Sequence, residues 1–215
     1  LYNYSMRYFF IFFLLVCFSS ARSQAPGFKA IRDAETFRKH FSEASQKILS
    51  IQSDFVQVKH LAMLKDKVTS KGKFYYKKAN KVRIEYASPF KYLMVLNNNQ
   101  MMVKDEEKTS NYNTRSNKMM QSINTIMLDC MRGTVYNNKE FQVQVFENGK
   151  EFLLQLLPTT SMIKKMFSRI EVYLDKSDYN VVRLNMVEQG GDNSLMTFTQ
   201  RVMNPSLNET LFATR

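Results

Sequence analysis

Few side chains in this sequence are able to do covalent or metal chemistry, and those few stand far apart. His40 and His60 are the only histidines, and neither has a second ligand at a metal-binding spacing. Cys130 has no nearby base in the chain, which favours a buried structural thiol over a nucleophile. No G-x-S-x-G motif, phosphate-binding loop or carboxylate pair is present. The sequence therefore predicts no catalytic residue, no metal and no cofactor, so a binding protein is favoured over an enzyme.

The charge balance points to anionic partners. The chain has 31 basic and 19 acidic residues, and removal of Arg7 and Arg22 with a leader leaves 29 − 19 = +10. In an exported protein this charge favours phospholipid headgroups or an acidic partner over nucleic acid, for which no binding motif is present. A solvated, lysine-rich outer face of a sheet explains the same charge without any partner.

Residues 1–23 are expected to be a signal peptide. Arg7 precedes an apolar run, Tyr8 to Phe18, that is too short to span a bilayer as a helix. Small residues follow at the two positions that a signal peptidase reads, Ala21 and Ser23. The mature chain, 24–215, is therefore expected to be exported and to form a single domain. An uncleaved membrane anchor is the alternative interpretation.

Cys17 allows a different interpretation of the leader, in which lipid is attached to the mature N-terminus. The residue before a lipidated cysteine is normally small, whereas Val16 is not. Cys17 is therefore interpreted as an ordinary apolar residue of the leader. Without the leader only Cys130 remains, so the exported fold must be held together by its core rather than by a disulfide.

The elements that must position any binding site are strands in the centre of the chain. From Gly72 to Pro89 apolar and charged residues alternate with period 2 in two runs, joined at Ala79-Asn80, which predicts a hairpin with one apolar face. A second hairpin follows between Lys91 and Asp105. The inward face is predicted to carry Phe74, Tyr76, Val82, Ile84, Tyr86, Leu93 and Val95.

Two helices are predicted to accompany the sheet. Apolar residues recur at helical spacing from Asp33 to Leu49, with Asp33 as the N-cap. A second helix, Ser122 to Met131, ends at Gly133 and must cover something. Methionine suits surfaces that repack around varied apolar partners, so this helix is predicted to face the sheet with Ile123, Ile126 and Met127. A plug on an ordinary core is the alternative.

The remainder of the chain continues as a meander. A hairpin turns at Asn148-Gly149, three more strands follow, and Leu207–Ala213 is a candidate last strand. About ten antiparallel strands and two or three helices predict a mainly β (α+β) fold in one curved sheet.

With these elements in this order, the sequence resembles the LolA family, the periplasmic carriers that move lipoproteins between the two membranes of diderm bacteria. The resemblance covers essentially the whole mature chain. It is carried by the first helix with Ile51–Gln57, by Gly72 and its strand, by Val82–Pro89, and by the pattern from Ile170 to Phe212.

The resemblance implies an incomplete, strongly curved antiparallel β-barrel with helices forming a lid over an apolar cavity. It also implies a monomeric periplasmic carrier that takes the acyl chains of lipoproteins from an inner-membrane transporter to an outer-membrane acceptor. A periplasmic lipid-binding sensor and a lipid-anchored outer-membrane acceptor of the same fold are the alternatives.

Two positions depart from the family pattern. The family typically has an Arg-Pro pair at the first hairpin turn, where the arginine bonds to lid backbone, and here Lys78 and Ala79 stand there. Lys78 is the candidate lid latch, although an ammonium lacks the planar fork of arginine; a solvated Lys78 without this role is the alternative. Val82 replaces a large aromatic residue common on the next strand, which would enlarge or reshape the mouth of the cavity.

Overall fold

A computed structural model describes residues 26–63, 66–116 and 118–214, apart from the side chains of residues 118–120 and 123. The predicted signal peptide, with Cys17, lies outside the described residues. The described chain forms three α-helices, which are α1 (Ala34–Gln46), α2 (Lys118–Arg132) and α3 (Ser161–Lys164). Its strands are β1 (Lys29–Ala30), β2 (Ser50–His60), β3 (Lys67–Lys77), β4 (Lys81–Ser88), β5 (Tyr92–Asn97), β6 (Gln100–Lys104), β7 (Thr109–Asn113), β8 (Phe141–Glu147), β9 (Glu151–Pro158), β10 (Phe167–Asp175), β11 (Val181–Glu188) and β12 (Asn193–Met203).

All twelve strands belong to one antiparallel sheet, in the order β1-β8-β9-β10-β11-β12-β2-β3-β4-β5-β6-β7. The sheet is open and curved, and its edge strands are β1 and β7. This confirms the predicted fold class, an incomplete antiparallel barrel. Lys29 and Ala30 form a short edge strand, because they pair with the end of β8.

The hairpin of β3 and β4 has the predicted form. Ala79 and Asn80 take left-handed backbone angles, with φ of 72° and 67°, as a two-residue hairpin turn requires. Gly72 is required by a close approach, since a Cβ there would lie 2.1 Å from Glu85 O and 2.6 Å from the Phe55 ring. Bare backbone at this point lets the Phe55 ring lie across the sheet.

The predicted parity of β5 is wrong by one residue. Ile84 pairs with Met94 and Val82 pairs with Leu96, so Met94 and Leu96 share the concave face with β4. Leu93 and Val95 therefore lie on the convex face. The run Leu93–Leu96 is apolar at every position, so period 2 alone does not distinguish its two faces.

The convex face of β5 is buried because the end of the chain covers it. Residues 205–212, called here the C-terminal strap, place Leu207 and Phe212 in a cluster with Val95. Lys77 Nζ donates to Leu207 O at 2.9 Å, and Asn97 Nδ2 donates to Phe212 O at 3.1 Å. The strap ends in a 3₁₀ turn, Glu209–Phe212, where a last strand was predicted.

Both predicted helices are present. Asp33 caps α1 as expected, since its carboxylate accepts from the backbone N–H groups of Glu35 and Thr36 at 3.1 and 2.9 Å. Helix α2 begins four residues before the predicted start and ends before Gly133, whose φ is 69°. A Cβ on Gly133 would lie 2.9 Å from Ser45 Oγ, which shows how closely the end of α2 approaches α1.

The concave face carries two apolar clusters that meet beneath α2. The first, called the Leu-rich cluster, lies under α1 and contains Phe37, Phe41, Ile126, Cys130, Val135, Phe141, Leu154, Leu156, Ile163, Ile170, Val172 and Leu174. The second, called the Met-rich cluster, contains Ile51, Phe55, Phe74, Tyr76, Val82, Leu96, Met101, Leu128 and Met196, with Met94, Met127, Met131 and Met203 packed against it.

Candidate functional site

The candidate site is the Met-rich half of the concave face, between α2 and the strands β2 to β6 and β12. The cavity beside this cluster has a volume of only about 20 Å³ and is lined by Ile51, Ser53, Phe74, Met131, Asn180, Val181, Phe198, Arg201 and Met203. Such a cavity holds about one water molecule. An acyl chain would fit only after α2 or the methionine side chains move.

The structure brings the predicted residues of β3 and β4 together on this face. Phe74, Tyr76 and Val82 are buried in the Met-rich cluster, and Ile84 and Tyr86 pack against it. Their cross-strand pairs, Phe74 with Ile84 and Tyr76 with Val82, keep them on one face. Leu93 and Val95 do not join them, because they contact the C-terminal strap on the other side of the sheet.

The predicted residues of α2 are divided between the two clusters. Met127 packs against the Met-rich cluster, as its assignment to this face requires. Ile126 instead belongs to the Leu-rich cluster, together with Cys130 one turn further along. The side chain of Ile123 lies outside the described residues. Helix α2 therefore lies over the boundary between the clusters and contacts both.

Several residues of the site were not predicted from the sequence. They share the concave face of the Met-rich half and are Met94, Leu96, Met101, Leu128, Met131, Met196, Phe198 and Met203. Phe198 stands between Thr197 and Thr199 on β12, and this local alternation identifies it as one-sided. The five methionines in this set carry no comparable signal, because each stands next to another apolar residue.

Polar groups on the concave face are satisfied at the Tyr86 end. Tyr86 Oη donates to Gln57 Oε1 at 2.6 Å, and Gln57 Nε2 donates in turn to Ser194 Oγ. Burial, with a smaller effect from Tyr92, raises the pKa of Tyr86 to about 12, so its hydroxyl keeps its proton. Burial also raises the pKa of Tyr76, and the Arg132 guanidinium at the end of α2 opposes this rise.

Two side chains fasten the end of α1 to the Met-rich half. Lys78 is exposed on the turn after β3, and its Nζ donates to Gln46 O at 3.4 Å. Asn204, at the end of β12, is more closely engaged. Its Oδ1 accepts from Leu49 N at 2.7 Å, and its Nδ2 donates to Lys47 O at 3.1 Å. Lys78 lies in the turn that follows the last residue of β3, Lys77, and its role as a lid latch stays a prediction.

Within the described residues no group of three His, Cys, Asp or Glu side chains is placed to hold a metal ion. Cys130 is buried, and burial raises the pKa of its thiol to about 12, with the charge of Asp129 adding to the effect. A thiol in this state is a poor nucleophile. None of the helices in the described ranges is both long enough and apolar enough to cross a membrane.

A curved, open antiparallel sheet with helices over an apolar concave face defines the class of this protein, the incomplete β-barrels with a helical lid. Residues 46–215 match the sequence model of a family described as outer membrane lipoprotein carrier protein LolA. The chain belongs to this family, as the resemblance in its sequence predicted.

Solved structures with a similar fold are distant in sequence. A DUF1329 family protein from Desulfovibrio piger is 13% identical with a TM-score of 0.47, and the match covers 83% of this chain and 96% of that one. A LolA superfamily protein from Nitrosomonas europaea is 10% identical with a TM-score of 0.44, covering 82% and 97%. A putative outer membrane lipoprotein-sorting protein domain from Vibrio parahaemolyticus is 10% identical with a TM-score of 0.46, covering 84% and 97%. No curated protein matches the chain.

Proposed function

We propose that this protein is a periplasmic carrier that binds the acyl chains of lipoproteins and shuttles them from the inner to the outer membrane. In this proposal residues 1–23 direct export, an inner-membrane transporter supplies the cargo and an outer-membrane acceptor receives it. Membership of the LolA family supports this assignment, and so does the apolar surface that α2 covers.

The observation that carries the proposal is the composition of the Met-rich cluster. Methionine is unbranched, with a flexible and polarisable side chain, so a methionine surface adapts to a ligand without one fixed shape. Met127 and Met131 lie on α2, while Met94, Met101 and Met196 lie on the strands opposite. The two surfaces fill one another in the closed protein, and an acyl chain would take the place of α2 against the sheet.

The energetics allow both loading and release. Each methylene transferred from water to an apolar site contributes about 0.8 kcal/mol. Opening α2 exposes apolar surface that the ligand then covers again, so the net affinity is smaller than the sum over methylenes. A carrier needs this offset, because cargo that binds with the full transfer free energy would not be released at the acceptor.

The test places a carboxylate on the concave face. Ile84→Glu is expected to abolish binding of a fluorescent acyl probe, because an unpaired buried charge costs several kcal/mol, comparable with a few methylenes. Lys71→Glu, on the exposed convex side of β3, is the control and should bind normally. Lipids that co-purify with the wild-type protein would be identified by mass spectrometry. Equal loss of binding in both folded variants, or equal retention, would contradict the proposed site.

A further inference from the structure

One end of the concave face contains polar side chains that lack hydrogen-bond partners. Ser53 and Asn180 are 2% and 8% exposed, and their Oγ and Oδ1 atoms have no partner among the described residues. Both residues line the 20 Å³ cavity, together with Arg201. Buried polar atoms are nearly always paired, so two orphaned atoms beside one small cavity call for an explanation.

Arg201 reaches the cavity because β12 carries a bulge. Thr199 pairs with Asp54 and Val202 pairs with Gln52, so two residues of β12, Gln200 and Arg201, stand opposite Ser53 alone. Gln200 adopts a φ of 52°, in the left-handed region. In a regular strand residue 201 would share the convex face with residue 199. The bulge instead directs the Arg201 side chain to the cavity on the concave side.

The charge of Arg201 is only loosely neutralised. Its Nη2 lies 3.7 Å from Asp175 Oδ2 and 3.9 Å from Asp178 Oδ2, and its Nη1 donates to Val181 O at 3.5 Å. Charge-assisted hydrogen bonds are normally about 2.7–2.9 Å long. Arg169 and Arg183 on the same sheet each approach a glutamate at 2.6 Å. The Arg201 side chain is also less exposed than either aspartate, with 21% of its surface accessible against 36% for Asp175 and 42% for Asp178.

Five other residues in the described part of the chain also bury a side-chain atom without a partner, namely Asn80, Asn124, Tyr136, Thr160 and Asn185, but none of them lines this cavity. The other end of the β2 surface is paired. There Tyr86, Gln57 and Ser194 form a hydrogen-bonded series. Ser53 and Asn180 differ from the other unpaired groups because they face one cavity together with Arg201, where a single additional partner could reach all three.

The surroundings define the chemistry of that partner. Ser53 and Arg201 offer donors, and a half-turn of the Asn180 amide presents either Nδ2 or Oδ1 to the cavity. The walls beyond these groups are apolar and are formed by Ile51, Phe74, Met131, Phe198 and Met203. The complementary ligand has a long apolar tail with one polar end that accepts hydrogen bonds.

We propose that Ser53, Asn180 and Arg201 form a binding site for the carboxyl end of an acyl chain, whose tail extends along the Met-rich cluster. The proposal rests on the proposed carrier function and adds the orientation of the bound chain. The planar fork of Arg201 matches the two oxygens of a carboxylate, and an ester carbonyl offers a single acceptor to the same donors. A free fatty acid and an ester-linked chain of a lipoprotein share this chemistry.

The test compares Arg201→Met with Arg183→Met, a control on the convex face. Palmitate, monopalmitoylglycerol and 1-hexadecanol would each displace a fluorescent apolar probe from the folded protein. Arg201→Met should weaken palmitate binding by about tenfold or more, because a hydrogen bond to a charged group is lost. Hexadecanol, which has no carboxyl group, should change by less than about twofold, as should all three ligands in the control. Arg201→Lys, which keeps the charge without the fork, should give a smaller loss for palmitate.

The ester identifies the source of the ligand. A tenfold loss for monopalmitoylglycerol as well would assign the site to ester-linked chains, and a loss for palmitate alone would assign it to free fatty acids. Unchanged palmitate affinity in Arg201→Met, or an equal loss for hexadecanol, would overturn the carboxyl site and leave the carrier function standing. Failure of the wild-type protein to bind any of the three ligands would overturn the carrier function itself.

Discussion

The two halves of the concave face are both apolar but are built from different side chains. In the Leu-rich cluster Leu154, Leu156 and Leu174 have no exposed surface, and at its margin the described methionines are Met162 and Met186. The Met-rich cluster combines aromatic rings with six methionines, which are Met94, Met101, Met127, Met131, Met196 and Met203. Branched side chains pack in few rotamers, whereas methionine fits many shapes. One sheet therefore carries a core of branched side chains beside a surface rich in methionine.

Helix α2 connects these two surfaces. Ile126 and Cys130 anchor one side of the helix in the Leu-rich cluster, whereas Met127, Leu128 and Met131 cover the Met-rich one. A movement that uncovers the Met-rich cluster and leaves the other intact is a rotation about the anchored side. Gly133 approaches α1 closely at the end of α2, so it would be the fixed end of such a rotation.

The largest expected effect is a loss of stability without a loss of binding when the Leu-rich cluster is mutated. Leu154→Ala should lower the free energy of unfolding by about 2–5 kcal/mol, because it leaves a cavity in a fully packed core. Acyl affinity of the folded fraction should stay unchanged. Met196→Leu in the other half should cost less than about 1.5 kcal/mol but should narrow the range of chain lengths that bind. Urea unfolding and titration with acyl probes of increasing length measure both quantities.

Two outcomes would contradict this division of roles between the clusters. A Leu154→Ala protein that binds poorly while folded would place cargo against the Leu-rich cluster. A Met196→Leu protein with an unchanged chain-length profile would remove the argument from methionine.

A smaller effect concerns how often each side of α2 opens. At pH 8 almost none of the Cys130 thiol is ionised, since burial raises its pKa to about 12. Labelling of Cys130 should therefore require unfolding and should follow the urea dependence of stability. In a Cys130→Ser, Met131→Cys variant the new thiol faces the Met-rich cluster and should be labelled about 100-fold faster. Cys130 of the wild-type protein, labelled in parallel, is the reference.

Addition of an acyl ligand sharpens the same measurement. Ligand should change the labelling rate at position 131 and leave the rate at Cys130 unaltered. If both positions respond together, α2 moves as a unit and is not hinged on the Leu-rich side.

The sequence predicted the β3–β4 half of the site because alternation there is regular. Phe74, Tyr76, Val82 and Ile84 stand opposite charged neighbours, so one face is identified by period 2 alone. The same rule fails for β5. Both of its faces are apolar, because the C-terminal strap covers the convex face as the concave face is covered by α2 and the core. Long-range covering of this kind leaves no local trace.

Arg201 and Asn204 were beyond prediction for a related reason. Each depends on an irregularity of β12, the bulge at residues 200–201 and the left-handed turn at Asn204, whose φ is 56°. A strand pattern assigns residue 201 to the wrong face, and it does not reveal that an amide at 204 meets the end of α1. The helices were easier to predict, since the spacing of their apolar residues and their capping residues are local signals.

The smallest expected effect concerns the two links that join the halves at the end of α1. Lys78 makes one hydrogen bond of 3.4 Å from an exposed position, whereas the Asn204 side chain bonds backbone groups of Leu49, Ser50 and Lys47 at 2.7, 3.3 and 3.1 Å. Asn204→Gly keeps the left-handed backbone available and removes the amide, so it should raise amide exchange in α1 by about tenfold. Lys78→Leu should raise it by less than about threefold, and Lys78→Arg should lower it, because arginine presents more donors. Exchange detected by mass spectrometry in the empty protein, with cargo transfer to acceptor membranes measured alongside, compares the two links directly.

A larger response to Lys78→Leu than to Asn204→Gly would mean that Lys78, despite its exposure, contributes more than Asn204 to holding the end of α1. No response to Lys78→Leu in either assay would leave Asn204 and the apolar contacts of α2 to hold the halves together.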